Sequence, residues 1–331
     1  METKGVHIFN LNVPCCNRCR YCLLSWDGKT LGVENQRAIQ YADSFYSWLK
    51  ENRPELQFAF YFGYSMDNPE LFDTIEFMQK TNSPSGRFLQ FDGMKMRSDE
   101  DLQVFLLKLK NARIETLGFT FYGTEAYHDT FACRHGDFNL MMRTIKIALE
   151  IGLKIEVGIP VIKENLSQLD ELVDMFIDER IRLFLFTPHC GGRGQYLLKS
   201  KITIDDALSM SDKVKQYFNR KNNKTPFEWF KNPPKDDVKR ILTLSLNPHN
   251  FNNLGKQSFE ETLLELERKD KEFYNTIPSF KELLNKYADN NDQFLYTKKD
   301  LFLQYKNKFI KENNIIIEDV TDERFSGSIR Y

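Results

Sequence analysis

The feature that most constrains the fold is a regular alternation, in which apolar runs of strand length are followed by amphipathic runs of helix length. Six strands are predicted in this way, at residues 6–13, 56–62, 87–91, 116–122, 154–161 and 181–186. Helices are predicted between them at residues 34–50, 69–78, 99–109, 138–151 and 167–177. Consecutive strands joined by helices, without reversal, are typical of a parallel sheet whose carboxyl-terminal loops build the functional site. The sequence therefore predicts an α/β fold, either a partial (β/α)6 TIM-like barrel or a singly wound sheet.

Beyond residue 222 this alternation is lost. Two clusters of helix- and strand-breaking residues, at 222–226 and 232–235, precede helical patterns at 259–273, 278–287 and 298–312. An apolar triplet at 315–317 is a candidate final strand. We therefore expect a partial-barrel core at residues 1–222 and a mostly helical C-terminal extension at residues 223–331.

Composition narrows the class of protein. The 331-residue chain has a net charge of −1 with 28% charged residues, so no global attraction to nucleic acid or anionic membrane is expected. The N-terminus lacks the pattern of a signal peptide, and no apolar run approaches the length of a membrane span. Thiols that are clustered without disulfide spacing indicate a reducing compartment, so a cytoplasmic protein is expected.

Those thiols are the most informative chemical feature. Four of the six cysteines lie within eight residues, directly after the first predicted strand: Cys15, Cys16, Cys19 and Cys22. Thiolates gathered this closely in one loop are typical metal ligands. Cys133 and Cys190 are solitary, so no disulfide framework is evident.

Read from Cys15 through Cys19 to Cys22, the spacing is C-x3-C-x2-C, with Tyr21 just before the last cysteine. This pattern resembles the signature of the radical SAM superfamily. The resemblance implies that the three cysteines hold a [4Fe-4S] cluster, whose open iron binds the amino and carboxylate groups of S-adenosylmethionine. Tyr21 is then expected among the cofactor-binding residues, and an electron donor such as flavodoxin or ferredoxin among the partners.

Two other kinds of metal site are alternatives for the same cysteines. A structural zinc site would use Cys15 or Cys16 with Cys19, Cys22 and a histidine, but zinc sites usually combine two separated ligand pairs and the sequence has no second pair. A ferredoxin-type site read from Cys16 lacks a fourth cysteine followed by proline. Cys16 is therefore interpreted as a bystander or as a residue behind the ligands.

The segment after the second strand extends the resemblance. Gly63, Tyr64 and Ser65 occupy the position of the family's Gly-Gly-Glu-Pro segment, where backbone carbonyls bind the methionine ammonium of the cofactor. Because Tyr64 and Ser65 replace the second glycine and the acid, any carboxylate contact to the ammonium is lost. An ordinary strand-to-helix turn is the alternative.

Later segments match the family at the expected strand ends. By resemblance, Thr120 lies beside the cofactor's ribose, Arg134 reaches its carboxylate, and Gly158 with Pro160 packs against the adenine edge. The alternatives are a buried threonine, a structural Asp129–Arg134 pair and ordinary core packing.

The resemblance also implies the chemistry. Reductive cleavage of S-adenosylmethionine yields a 5′-deoxyadenosyl radical, which abstracts a hydrogen atom from the substrate. Cys190, just past the sixth strand, is a candidate hydrogen donor for an epimerisation, although free cysteines more often pack as small apolar groups. Four phenylalanines on alternating strand positions are either lining of the barrel cavity or plain core: Phe58, Phe60, Phe119 and Phe121.

The substrate stays open between a peptide or small molecule and a nucleotide or RNA. The nucleic-acid interpretation depends on basic residues between 213 and 235, interleaved with aromatic ones, that otherwise form a solvated face: Lys213, Lys215, Arg220, Lys221, Lys224, Lys231 and Lys235. A non-catalytic zinc- or iron-sulfur-binding protein is the alternative from a different class.

Overall fold

The computed structural model describes residues 3–10, 15–20, 22, 32–62, 66–83, 86–188, 192–234, 240–288 and 293–313. Seven strands lie in these ranges: β1 Thr3–Asn10, β2 Gln57–Phe62, β3 Phe88–Gln90, β4 Thr116–Thr120, β5 Lys154–Pro160, β6 Ile181–Phe186 and β7 Arg240–Leu246. The six predicted strands are all present. The candidate strand at 315–317 lies outside the described residues.

The strands form two sheets, ordered β2-β1-β7 and β3-β4-β5-β6, and every pairing within them is parallel. From β7 through β1 and β2, then from β3 to β6, the order is that of an open barrel whose ladder is interrupted between β2 and β3 among the described residues. The predicted α/β class is confirmed. The carboxyl ends of these strands point in one direction, which brings their following loops together.

Helices follow most of the strands. Their bounds are α1 Asn35–Asn52, α2 Leu71–Lys80, α3 Asp99–Asn111, α4 Glu125–Ala132, α5 Asp137–Glu150, α6 Leu169–Met175, α7 Ile204–Ser209, α8 Asp212–Lys215, α9 Pro226–Lys231, α10 Phe251–Leu254, α11 Phe259–Thr276, α12 Phe280–Tyr287 and α13 Lys298–Asn313. The Ser98 hydroxyl accepts a hydrogen bond from the Asp101 backbone N–H and caps α3, as its sequence indicates. No described helix is long and apolar enough to cross a membrane.

One face of each sheet packs against these helices and forms the main core. Phe58 and Phe60 of β2 contact Phe77 of α2, with ring centroids 6.5 and 5.3 Å apart. On β4, Phe119 contacts Phe91 at 5.6 Å. Just beyond this strand, Phe121 contacts Phe138 of α5 at 5.3 Å and Phe176 at 4.7 Å.

These contacts decide the role of the four phenylalanines at positions 58, 60, 119 and 121. The interpretation as core is confirmed, because all four side chains are buried in the main hydrophobic cluster. Phe119 also belongs to the lining of a cavity on the sheet β3-β4-β5-β6. Side chains alternate along a strand, so the neighbouring positions form the opposite face. On β4 that face holds Gly118 and Thr120.

The strand β7 was not predicted. It pairs parallel with β1, with Leu242 opposite Val6 and Leu244 opposite Ile8, and these four side chains are buried in the same main core. Its sequence alternates apolar and polar residues only from Leu242 to Leu246 and follows a breaker cluster, so the pattern is too short to indicate a strand among the neighbouring helical patterns. The extension therefore contributes a strand to the first sheet, while the division at residue 222 stays a prediction.

The extension also has a core of its own, formed around Trp229, Phe280, Leu283 and Leu301. A buried ion pair ties this region to the preceding chain: the Lys201 ammonium donates to Asp300 at 2.7 Å, with side chains only 3% and 0% exposed. Removing one partner of such a pair leaves an uncompensated buried charge.

We expect Lys201→Met to lower the free energy of unfolding by about 3–5 kcal/mol, because Asp300 would be left charged and buried. Urea unfolding at neutral pH measures this. The matched control is Lys80→Met, which breaks a 2.7 Å pair with Asp43 whose side chains are 57% and 39% exposed, and which should cost less than about 1 kcal/mol. Equal losses in the two variants would show that burial of the Lys201 pair has no special weight.

Candidate active site

The cysteine loop begins after β1, and its base is closed by one buried amide. The Asn10 side chain donates to the Val33 carbonyl at 3.0 Å and accepts from the Val33 N–H at 2.9 Å. It also donates to Asn35 Oδ1 at 2.6 Å, at the start of α1. The two ends of the segment that holds the four cysteines are thereby joined.

The loop then lies across the segments that follow β3 and α4. The Cys16 N–H donates to the Gly93 carbonyl at 2.8 Å, and the Arg18 and Arg20 N–H groups donate to the carbonyls of Ala132 and Phe131 at 3.0 Å each. These backbone bonds position the loop over the carboxyl ends of the barrel strands.

Gly93 is required where the loop crosses. Its φ of +71° lies in the left-handed region, which favours glycine. A Cβ at this position would also overlap the Cys15 sulfur. The chain therefore places its most permissive residue directly beneath one of the three predicted ligands.

The three thiols are all partly buried, and Cys15 lies close enough to both Cys19 and Cys22 to interact with them electrostatically. Burial raises the pKa of Cys15 to about 11, with smaller contributions from Asp92 and Cys22. Burial raises the pKa of Cys19 to about 12, partly offset by a hydrogen bond from Tyr122. A bound cation would reverse this preference for the neutral thiol.

The loop offers these three thiols, which are the donor set of a [4Fe-4S] cluster with one open iron. Within the described ranges, no three His, Cys, Asp or Glu side chains converge closely enough to hold one metal ion. A cubane cluster holds its cysteines farther apart than a single zinc ion does, because each thiolate binds a different iron. Cys15, Cys19 and Cys22 are the residues that would hold it, and Cys16 is exposed.

A buried network beneath the loop centres on Asn17, which lies between Cys16 and Arg18. Its amide donates to Asp137 Oδ2 at 2.8 Å, and its carbonyl oxygen accepts from Arg134 at 3.2 Å. Asn17 and Asp137 are almost fully buried. Both ends of the amide are therefore bonded, which specifies its orientation.

His128 completes this network. Its Nδ1 accepts from the Tyr122 N–H at 3.2 Å, so Nε2 carries the proton and donates to Asp137 Oδ2 at 3.2 Å. Asp137 Oδ1 accepts from Arg134 at 3.2 Å. We call Asn17, His128, Arg134 and Asp137 the loop clamp.

Arg134 thus has a structural role in addition to the one expected from the resemblance. It also donates to the Met94 carbonyl, on the segment after β3. No side-chain ion pair joins it to Asp129, although both residues are described. The Asp129 carboxylate instead accepts from the N–H groups of Gly136 and Phe138 at the start of α5, at 2.5 and 2.9 Å. The contact from Arg134 to the cofactor carboxylate stays a prediction.

Thr120 and Gly158 lie side by side in the β4–β5 ladder, and both line a cavity on the sheet's inner face. The Thr120 hydroxyl accepts from Gln90 at 3.2 Å. Pro160 is buried, and its carbonyl accepts from Asn165 at 2.7 Å. The cofactor-binding roles of Thr120, Gly158 and Pro160 stay predictions. Five other predicted site residues lie outside the described residues: Tyr21, Gly63, Tyr64, Ser65 and Cys190.

Asp92 is a site residue that the sequence analysis missed. Its carboxylate accepts from the Thr120 N–H at 3.1 Å and from the Gln90 amide at 2.7 Å, so it joins the carboxyl ends of β3 and β4. Desolvation raises the pKa of Asp92 to about 6. Its position just after a predicted strand was the available signal, but that position is shared by many structural acids.

Comparisons with known proteins give likenesses of fold. No family model matches the sequence, and no curated protein is matched. The fold is similar to coproporphyrinogen III oxidase (HemN) from Escherichia coli, described as a radical SAM enzyme, at 13% identity and a TM-score of 0.39, over 62% of this chain and 48% of that one. Two structures of SuiB from Streptococcus suis, one bound to S-adenosylmethionine, match at 11% identity and TM-scores of 0.46 and 0.45. They align with 77% of this chain, which spans about half of SuiB.

We expect Asn17→Ala to destabilise the metal-free protein by about 1–3 kcal/mol, because Asp137 and Arg134 each lose a buried partner. Iron retained after anaerobic reconstitution should also fall, since the backbone between the cysteines would no longer be oriented. Urea unfolding and iron analysis measure the two effects. Asn52→Ala is the control, because it removes an exposed amide whose bond within the described part of the chain is to the Trp48 carbonyl. A variant that matches this control in stability and in iron would contradict the clamp.

Proposed function

We propose that this chain is a radical SAM enzyme, which reductively cleaves S-adenosylmethionine and abstracts a hydrogen atom from a substrate C–H bond. The observation that carries the proposal is the position of three cysteines in one loop, Cys15, Cys19 and Cys22, over the carboxyl ends of parallel strands. Three protein thiolates leave one iron of a [4Fe-4S] cluster free, and an open metal position is where a small molecule binds.

The cofactors would supply a one-electron cleavage that produces a 5′-deoxyadenosyl radical, and the residues of this chain would bind and orient them. The cysteines would hold the cluster, while the loop clamp and Gly93 hold the cysteine loop. Thr120 and Gly158 line the adjacent cavity, which lies on the inner face of the sheet. Enclosure of that space would keep water away from a reactive intermediate.

A peptide or small molecule is the favoured substrate over RNA. Three of the basic residues considered for RNA are paired with carboxylates: Lys213 with Asp174 at 2.7 Å, Lys215 with Asp212 at 3.7 Å, and Arg220 with Glu228 at 2.8 Å. Trp229 is buried rather than available for stacking on a base. These pairings support the solvated-face interpretation of the stretch.

The proposal includes an electron donor such as flavodoxin or ferredoxin and a reducing cytoplasmic setting. Both follow from the chemistry, because the cluster must be reduced before each cleavage and exposed clusters are sensitive to oxygen.

The proposal is tested by anaerobic reconstitution. We expect about four irons and about four sulfides per chain, with formation of 5′-deoxyadenosine that depends on dithionite. Cys15→Ala, Cys19→Ala and Cys22→Ala should each abolish 5′-deoxyadenosine formation. Cys16→Ala is the matched control within the same loop and should retain activity, because Cys16 is exposed and the substitution keeps its backbone N–H bond to Gly93.

The same experiment addresses the non-catalytic alternative. One zinc per chain with no cleavage of S-adenosylmethionine would identify a zinc-binding protein. A full cluster without 5′-deoxyadenosine would identify an iron-sulfur binding protein. Loss of activity in Cys16→Ala together with retention in Cys15→Ala would contradict the assigned ligand set.

We also propose that Cys190 donates the hydrogen atom that completes an epimerisation. Its S–H bond would break homolytically, the hydrogen would pass to the substrate carbon radical, and the resulting thiyl radical would be reduced by one electron and one proton from the external donor. Cys190→Ala is then expected to form 5′-deoxyadenosine but to release no epimerised product. Deuterium from solvent should appear in the product of the unaltered enzyme. An undiminished rate of epimerisation in the variant would end this proposal.

A further inference from the structure

A cavity of about 510 Å³ lies against the inner face of the sheet β3-β4-β5-β6. Residues of this sheet form one wall, and residues 219–229 and 297–299 of the later chain form the other. Thr120 and Gly158, the residues expected beside the cofactor, belong to the sheet wall. The cavity therefore lies between two residues expected beside the cofactor and the later part of the chain.

Two positions on the sheet side of the cavity are glycines, and neither has room for a side chain. A Cβ on Gly118 would approach the Phe88 ring to 2.5 Å, and one on Gly158 would approach the Phe184 ring to 2.9 Å. Phe184 and its neighbour Phe186 have ring centroids 5.7 Å apart, and both line the cavity. This part of the wall offers aromatic surface to an apolar group.

The charged lining has an excess of positive charge. Among the described residues, three cationic side chains and one carboxylate line the cavity: Arg182, Lys298, Lys299 and Glu156. Arg182 donates to Glu156 at 2.7 Å and is 59% exposed, which leaves further guanidinium donors available. Lys298 and Lys299 form no ion pair with a described carboxylate, so their charges are not neutralised by that part of the chain.

Aromatic surface beside cations without a paired carboxylate suits one class of ligand. An organic anion with an apolar body would place its charge near the lysines and its body on the rings, whereas a neutral ligand would leave the cations unmatched. A guanidinium can bind a carboxylate or a phosphate through two parallel hydrogen bonds.

We infer that this cavity binds the substrate as an organic anion, with its carboxylate or phosphate near Arg182, Lys298 and Lys299 and its apolar part on Phe184 and Phe186. That this anion is the substrate rests on the proposed function, whereas the inference that the cavity binds such an anion does not. The anionic group would bind on the side of the cavity formed by residues 298–299, and the apolar part of the ligand would extend toward Thr120.

The test uses the full chain, both as isolated and after anaerobic reconstitution, and measures binding by isothermal titration calorimetry. The probes are 3-phenylpropionate as the carboxylate, phenyl phosphate as the phosphate, and 3-phenylpropanamide as the neutral match. At least one anionic probe should bind about tenfold more tightly than the amide, which corresponds to about 1.4 kcal/mol. Whichever anion binds more tightly shows whether the cavity prefers a carboxylate or a phosphate.

The double variant Lys298→Gln/Lys299→Gln should weaken binding of that anion by about fivefold or more, and rising salt should weaken binding to the unaltered chain. Lys281→Gln is the matched control, because Lys281 is an exposed lysine of α12 that does not line the cavity.

The inference is overturned if neither anion binds, if the amide binds as tightly, or if Lys281→Gln weakens binding as much as the double variant. Its failure is separable from failure of the proposed function. Anion binding needs no cleavage of S-adenosylmethionine, and 5′-deoxyadenosine formation without anion binding would reject only the substrate class.

Discussion

The site depends on the two-sided hydrogen bonding of one buried amide, Asn17. The described part of the cysteine loop, residues 15–20 and 22, has neither helix nor strand geometry, so its backbone must be held by groups on other elements. Asp137 at the start of α5 accepts from this amide, and Arg134 donates to it. Each group would be costly to leave unpaired in the interior, so the network strongly favours one arrangement of the loop.

This constraint links the fold to the chemistry. His128 connects the Asp137 carboxylate to the backbone just past β4, and Arg134 connects the loop to the segment after β3. These bonds therefore fix the position of the cysteine loop relative to β3 and β4, whose inner faces also line the cavity. A metal group held by the cysteines would share a rigid frame with any ligand bound there, and preorganisation of this kind is what catalysis on a scaffold requires.

The sequence predicted the strands well and their faces poorly. Apolar periodicity located all six strands of the first half, because each is a short run bounded by breakers. It did not say which side of β2 or β4 meets the helices, since strands buried on both faces carry little alternation. Phe119 and Phe121 were for that reason open between core and cavity. The strand β7 was missed because its pairing with β1 joins residues more than 230 positions apart, and such long-range pairing leaves no local signal.

The candidate site was predictable only where a motif carries the chemistry. The spacing of Cys15, Cys19 and Cys22 by itself indicates a metal centre. The roles of Asn17, Asp92 and Gly93 were not accessible from the sequence, because an isolated asparagine, acid or glycine has many ordinary uses. Only their mutual contacts distinguish them, and those contacts join residues up to 120 positions apart.

The central claim is that three cysteines leave one iron open to a sulfonium ligand. Electron paramagnetic resonance of the reduced, reconstituted protein tests it most directly, recorded with and without S-adenosylmethionine. The account predicts a reduced [4Fe-4S] signal whose g values change when S-adenosylmethionine is added. A spectrum without an iron-sulfur signal, or one that S-adenosylmethionine leaves unchanged, would contradict it.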